Sequence, residues 1–443
     1  MPLVASFGLV WAPPSRADSP SPSPDDRASW TLGKVLDAAR QASPAIRAAR
    51  ARQRAGAATA AAAWGALSPR LSLRGGASRS NDPALLFSQR LWQGRFTSDD
   101  FALDALNQPP ARNALEYGLV LEQPLWNGGA EVTTPAVAAS ARRESDAESR
   151  AAVADALLDV VRRYVDYVSA RARSLADSTA LAAAESAHRA AVERHRQGQV
   201  PDLDTLRTFA RAAEGVERSL LAERDRDVSR RRLGDAIGAS PSDDEIAAPD
   251  PTEPATFFAL AAGGGRSAPS LEASRARARR LALEASRASL RLLPSLNGLA
   301  SMTYYRDPEL DGAERRWFAG LSLDWPIWDG ARRWNERRAA AARAEGARAD
   351  LEGATREWAA KEEAARRDLE LAGPRRDAAR AARRASEEAL RLATSRYREG
   401  LLPLDAWLAV DADAASARER AIARDADLLL AGYAYLHAIG GLQ

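Results

Sequence analysis

Residues able to do covalent chemistry are scarce in this chain. Its 443 residues include three histidines and no cysteine, which excludes a disulfide framework, a thiolate metal site and an acylated N-terminal cysteine. His188 and His195 stand seven apart on one predicted helix with Glu193 near, a spacing at which a surface metal site can be imagined. Exposed helix positions near a turn are the plainer reading, and His437 stands apart from both. Gly263 to Gly265 form a glycine run without the strand-then-helix setting of a phosphate loop. No nucleophile–base arrangement can be argued. The sequence therefore reads as no enzyme, with no catalytic residue, no metal site and no cofactor.

The strongest pattern is a duplication. EQPLWNGGAEV (Glu122 to Val132) returns as DWPIWDGARRW (Asp324 to Trp334), and Pro326 follows Pro124 by 202 residues. Arg194 and Arg396, Gly198 and Gly400, Pro201 and Pro403, and the Ile-Gly pairs at Ile237 and Ile439 keep that offset. Upstream, Pro44 with Pro269 and Pro69 with Pro294 keep an offset of 225. A register held this far marks an internal repeat, and the 23-residue difference between the offsets places an insertion in the first copy, at about 80–113. That segment carries Leu85, Phe87, Trp92, Phe96 and Phe101, so it is expected to fold over something.

Composition then limits the elements. Aromatic residues make up 6% and charged residues 28%, with alanine and arginine dominant, which favours long helices over compact cores. Net charge is only +3, Lys34 and Lys361 are the sole lysines, and the arginines alternate with acids as on a solvated helix face. No nucleic-acid partner is implied. No run reaches the ~20 apolar residues of a spanning helix, so any membrane entry must be by strands. Residues 1–17 read as a signal peptide without a positive n-region, cleaved after Ala17, and 18–29 as a flexible lead-in.

The first repeat is expected over 30–238. It opens with two helices, the second entered at Ser43 and Pro44, followed by strands at about 69–79 and 114–124 and long helices at about 128–197 and 202–238. Leu71, Leu73 and Ala77 alternate with Arg70, Ser72, Arg74 and Ser78, and Leu115, Tyr117, Leu119 and Leu121 alternate with Glu116, Gly118, Val120 and Glu122. This period of two gives strands with one apolar face. The second repeat, 267–440, follows suit: strands at about 295–305 and 316–326, helices at about 330–399 and 403–439, with a kink or break at Gly373-Pro374. A linker of little regular structure spans 239–266.

The Pro-x-Trp corners follow from these elements. Pro124 and Pro326 are expected to stop the strands, Gly128 and Gly330 to turn the chain, and Asn127 and Asp329 to cap the helices. Trp126 and Trp328 fall where the apolar face ends, either as core anchors or as interface indoles; Trp317, Trp325 and Tyr117 lie on that face and favour a membrane girdle. Four strands leave two open edges, which lipid does not tolerate, so closure needs several copies. The expected fold is mainly α with a membrane β part: a β-barrel continued by a helical tube.

With these features the chain resembles the TolC family of outer membrane efflux proteins from about Trp30 to Gly440. The Q-P-L-W-N-G-G and W-P-I-W-D-G-A corners and the R-x-x-x-G helix ends are similar to that family's motifs. The resemblance implies a homotrimer with a twelve-stranded outer membrane barrel and a periplasmic α-helical barrel. It further implies a periplasmic adaptor (membrane fusion) protein and an inner-membrane pump or exporter as partners. By similarity Gly198, Val200, Pro201, Gly400, Leu402 and Pro403 would face the adaptor. The family's aspartate six residues beyond the tip glycine is matched by Asp204; the second repeat has Ala406 there, so Asp204, Asp405 and Asp411 are all aperture candidates. The alternative is a soluble periplasmic coiled-coil adaptor or structural protein, which shares long hairpins but has no use for alternating strands with aromatic ends.

Overall fold

The structure is a computed structural model that describes residues 30–65, 67–247, 268–307 and 312–442. The signal peptide and lead-in, and residues 248–266 of the linker, lie outside the described residues. In chain order the first repeat contains α1 (Leu32–Ala42), α2 (Pro44–Gly65), β1 (Arg70–Ser80), α3 (Pro83–Trp92), a 3-10 turn (Ser98–Phe101), α4 (Leu103–Asn107), β2 (Arg112–Asn127), α5 (Ala130–Arg196) and α6 (Asp202–Ile237). The second contains α7 (Pro269–Leu290), β3 (Ser295–Arg306), β4 (Glu314–Asp324), α8 (Arg332–Arg398) and α9 (Leu404–Ala438). Helices α2 and α7 have 22 residues each at the 225 offset, and α5 and α8 have 67 each at the 202 offset. At ~1.5 Å per residue each long helix extends ~100 Å.

The helices pack side by side as hairpins, α5 with α6 and α8 with α9, while α2 and α7 both lie against α5. Small side chains let them approach: Ala147, Ala154, Ala170, Ala184 and Ala191 are buried along α5. One larger apolar cluster forms midway, where Val35 and Leu36 of α1 meet Leu157, Val161, Tyr164 and Tyr167 of α5, Leu233 of α6 and Leu428 of α9. The start of the inter-repeat linker is fastened there. Trp30 pairs with Ile246, the Tyr164 hydroxyl donates to Ala247 O at 2.8 Å, and Arg171 donates to Ile246 O at 3.0 Å.

Tyr167 donates to the Asp243 carboxylate at 3.0 Å, and burial, then this hydrogen bond, pushes its pKa up to about 12. A raised folded-state pKa gives stability that is complete below pH ~10, the unfolded tyrosine value, and is lost as pH rises toward 12. Tyr167→Phe is expected to cost about 1 kcal/mol near neutral pH and to remove this alkaline loss. Helical circular dichroism in denaturant at several pH values measures both.

The four strands form one antiparallel sheet in the order β1-β2-β3-β4. Directly opposed residues share a face. Leu73 faces Leu119, Leu119 faces Met302 and Met302 faces Trp317; Leu71, Leu121, Ala300 and Ala319 form the next row. The opposite face carries Ser72, Arg74, Glu116, Glu122, Ser301, Thr303 and Ser322, with Val120, Leu299, Tyr305 and Phe318 among them, and Arg74 and Glu122 paired at 3.1 Å. One sheet thus has an apolar and a polar face, and β1 and β4 leave open edges.

Three sequence expectations change. Strand β2 does not stop at Pro124; it runs to Asn127 with a register shift between Pro124 and Trp126. A bulge tolerates a proline that cannot donate, and β3 begins early enough to pair with Trp126 and Asn127. The edge strand β4 has one neighbour in the chain and ends at Asp324, before Pro326. Second, α8 passes through Gly373-Pro374 unbroken, because Leu369 and Ala372 just before it are buried in the apolar cluster with residues of α9 and Arg380 just after it pairs with Asp425 of α9, and such packing offsets one missing hydrogen bond. Third, the residues flanking α5 and α8 are Gly129 and Ala331, not Asn127 and Asp329.

The 80–113 insertion folds back on the sheet. Phe87, Phe96 and Phe101 make edge-to-face contacts, Trp92 lies 5.2 Å from the Tyr305 ring of β3, and Arg316 of β4 donates to Trp92 O at 3.0 Å. Arg90 pairs with Asp100; burial opposes ionisation of that carboxyl, but bonds from Thr97 and the Arg90 charge hold it below the ordinary range.

Candidate functional site: sheet face, corners and helix tips

The apolar sheet face is open along its whole length. Leu73 is 77% exposed, Trp317 78% and Leu321 71%, a row of large apolar residues that water solvates poorly. Trp317 and Trp325 are eight residues apart, ~26 Å along the strand at ~3.3 Å per residue and ~20 Å in height at a ~40° tilt, which spans most of the ~25 Å apolar band of an outer membrane barrel. Tyr117 sits on the same face and stacks on Tyr304 at 5.5 Å. The Trp325 indole donates to Leu292 O at 3.3 Å, giving it the amphipathic setting of an interface residue.

At the corners the chain must reverse from strand to helix within three residues. Gly128 (φ 58) and Gly129 (φ 88) do this in the first repeat, and Gly330 (φ 68) with Ala331 (φ 64) in the second. The left-handed region costs an ordinary residue ~1–2 kcal/mol, so Ala331 is a strained position. The capping expected of Asn127 and Asp329 is divided differently: the Asn127 backbone N–H donates to the Glu131 carboxylate, whereas Asp329 accepts from Arg333 N at 3.4 Å and Nε at 2.7 Å. That Arg333 hydrogen bond is the main reason the Asp329 carboxyl lies below its ordinary pKa. Trp328 is 81% exposed and Trp126 39%, and Pro326 O accepts from Arg333. A Cβ on Gly128 would lie 2.7 Å from Leu290 O. Gly128→Ala is accordingly expected to destabilise by about 2 kcal/mol or more, and Ala331→Gly to be neutral or to stabilise by under about 1 kcal/mol. Thermal unfolding of the two variants should separate in that order.

The two tips share one backbone design. Gly198 N donates to His195 O at 2.8 Å and Gln199 N to Arg194 O at 2.9 Å; Gly400 N donates to Tyr397 O at 3.1 Å and Leu401 N to Arg396 O at 2.8 Å. Positive φ at Gly198 (71) and Gly400 (77) closes both helix ends, and Pro201 and Pro403 precede the return helices. Apolar side chains project around them, with Leu203 54%, Leu206 59% and Leu401 72% exposed. Val200 and Leu402 are half-buried.

The structure ties the tips together through residues that show no role in the sequence alone. Arg194 reaches across to α8, donating to Tyr397 O at 3.0 Å and Arg398 O at 3.1 Å, with its guanidinium 5.5 Å from the Tyr397 ring. Tyr397 stacks on Trp407, which donates to Thr394 at 3.1 Å. Burial first, then the charge of Asp204, pushes the Tyr397 pKa up. The only sequence signal for this cluster is the Arg194–Arg396 register. Of the aperture candidates, Asp204 lies half-buried near Tyr397, Asp405 is exposed in the first turn of α9, and Asp411 accepts both Nε (2.9 Å) and Nη2 (2.5 Å) of Arg211. The histidines each have their own partner: His188 with Thr208 at 3.2 Å, His195 with Val200 O at 3.0 Å, His437 with Asp155 at 2.7 Å, while Glu193 accepts from Gln197. Among the described residues no cluster of three or more metal-ligating side chains occurs, and no helix is long and apolar enough to cross a membrane.

Known proteins share this architecture. The outer membrane channel CmeC of Campylobacter jejuni superposes with a TM-score of 0.78 at 17% identity, covering 94% of this chain and 87% of that one. A membrane protein from Pseudomonas aeruginosa gives 0.77 at 20% identity over 94% and 91% of the two chains. The outer membrane protein VceC of Vibrio cholerae gives 0.75 at 18% over 93% and 96%. At these identities the likeness is one of fold, and no curated protein matches the sequence significantly. The model of the outer membrane efflux protein family matches residues 35–239 and 266–441, one segment per repeat. Placed on both halves of a duplicated chain whose sheet carries an open apolar face, that match shows that the protein belongs to the outer membrane efflux protein family.

Proposed function

We propose that this protein is the outer membrane exit duct of a tripartite efflux or secretion system, conducting cargo passively through a water-filled tube. The observation that carries this is the four-stranded sheet, apolar on one face, polar on the other and open at both edges, running directly into helices of ~100 Å. Open edges and an exposed apolar face are stable in lipid only when the sheet closes. Three copies would supply twelve strands and turn Arg74, Glu116, Glu122 and Ser322 to a wet lumen. The helices would then form the periplasmic tube. Apolar Leu203, Leu206 and Leu401 around the glycine turns suit docking by a periplasmic adaptor, which would connect the tube to an energised inner-membrane pump or exporter. Specificity for cargo would lie mainly with that pump.

The test is planar-bilayer conductance of detergent-purified protein, with light scattering on the same sample. Trimers giving long-lived conducting steps are expected. Conductance altered by Asp204→Ala or Asp405→Ala places the constriction at the tips. A protein that is monodisperse without detergent and electrically silent would overturn the proposal in favour of a periplasmic coiled-coil component.

A further inference from the structure

Because the two repeats share one register, each contact from repeat one to repeat two names a contact that repeat two would make to repeat one of the next copy. Three inter-repeat contacts pass this translation with their chemistry intact. Arg173 of α5 pairs with Glu419 of α9 at 3.3 Å; shifted by 202, the pair becomes Arg375 of α8 and Glu217 of α6. Arg150 of α5 pairs with Glu272 of α7 at 2.5 Å; with the offsets of 202 and 225 it becomes Glu352 of α8 and Arg47 of α2, opposite charges again but exchanged. Arg194 donates to the carbonyls of Tyr397 and Arg398; its counterpart is Arg396, facing the carbonyls of His195 and Arg196 at the end of α5.

Within one chain these counterparts do not meet. Arg47, Glu217, Arg375 and Arg396 are exposed, and among the described residues their side chains have no hydrogen-bond or ion-pair partner; Glu352 is held only by Arg356 of its own helix. Unmated groups and their complements lie on opposite flanks: Glu352, Arg375 and Arg396 on α8 of the second repeat, Arg47, Glu217 and the α5 end on the first. All three contacts run in the same direction, from the long helix of one repeat to the next repeat. Three further inter-repeat pairs do not translate. Arg211–Asp411 becomes Asp413 and Phe209, His437–Asp155 becomes Asp235 and Glu357, and Arg280–Glu144 becomes Ala55 and Gly346. These levels would differ between alternate seams.

We infer that the α8 flank is the binding surface for the α2–α6 flank of a second copy of this chain, registered by Arg375–Glu217, Glu352–Arg47 and the Arg396 clamp. The inference rests on the oligomeric duct proposed above and adds which residues meet. The contact is head-to-tail, each copy presenting one unmated flank of each kind, and the open edges of the sheet require that the assembly close as a ring in lipid.

The absence of cysteine permits a clean test on the full-length protein. Glu217→Cys with Arg375→Cys, treated with a short bismaleimide in detergent, is expected to give a dimer–trimer ladder on denaturing gels. Arg173→Cys with Glu419→Cys should react within one chain and give no ladder. As a second test, Glu217→Arg and Arg375→Glu should each lower the fraction of assembled protein severalfold, and their combination should restore it. Assembly by light scattering with no ladder from the first pair, and no rescue by the charge exchange, would overturn the assigned register while leaving the duct intact. Loss of assembly in the unsubstituted protein would overturn the duct itself, and with it this interface.

Discussion

Leu321→Arg is expected to abolish recovery of the assembled protein from an outer membrane fraction, whereas Ser322→Arg, one residue further, is expected to leave it largely intact. Leu321 is 71% exposed and lies midway between Trp317 and Trp325, opposite Gly298 on the apolar face. An arginine at the bilayer midplane of a barrel costs ~2–4 kcal/mol, and each copy of a trimer would carry one. Summed over three copies this is ~6–12 kcal/mol, of the order of the whole stability margin of a folded protein. Ser322 points to the polar face with Arg74 and Glu122, where another guanidinium meets water. Heat-modifiable oligomer on gels of isolated membranes is the readout. Equal loss in both variants would mean that the two faces are not distinguished by lipid, and the proposed orientation of the sheet would fail.

The second large effect lies in the helical part. Tyr164 is 0% exposed in the cluster that joins α1, α5, α6 and α9, and its hydroxyl reaches Ala247 O. Tyr164→Ala is expected to cost ~3–5 kcal/mol, a transfer term plus a cavity that close-packed helices cannot fill. Tyr164→Phe keeps the ring and is expected to cost only ~1 kcal/mol. The cluster binds the first residues of the repeat and the start of the inter-repeat linker to the long helices, so the alanine variant should also expose 240–247 to protease. Chemical denaturation followed by helical circular dichroism measures the difference. An alanine cost below ~1 kcal/mol would show that the alanine seams, not this cluster, hold the helices together.

Much of this protein is legible without coordinates because its information is local and written twice. Alternation in Leu115–Leu121 and Trp317–Leu323 specifies strands with one apolar face, since a period of two maps directly onto the pleat. Glycines at 128, 330, 198 and 400 specify turns because only a residue without Cβ adopts positive φ freely. The repeat offsets predict helix lengths, and α5 and α8 obey them to the residue. Tertiary structure decided what depends on distant neighbours. Pro124 stays in its strand because β3 lies beside it to pair around a bulge, and Pro374 leaves α8 unbroken because the residues on either side of it are held against α9. The cross-tip reach of Arg194, the Arg211–Asp411 pair that engages one aperture candidate, and the folding of the 80–113 insertion onto Tyr305 and Arg316 join residues whose separation in sequence is up to about 225. No periodicity encodes such a partner: a solvated arginine and a clamping arginine have the same local sequence, and only the packing of the helices tells them apart.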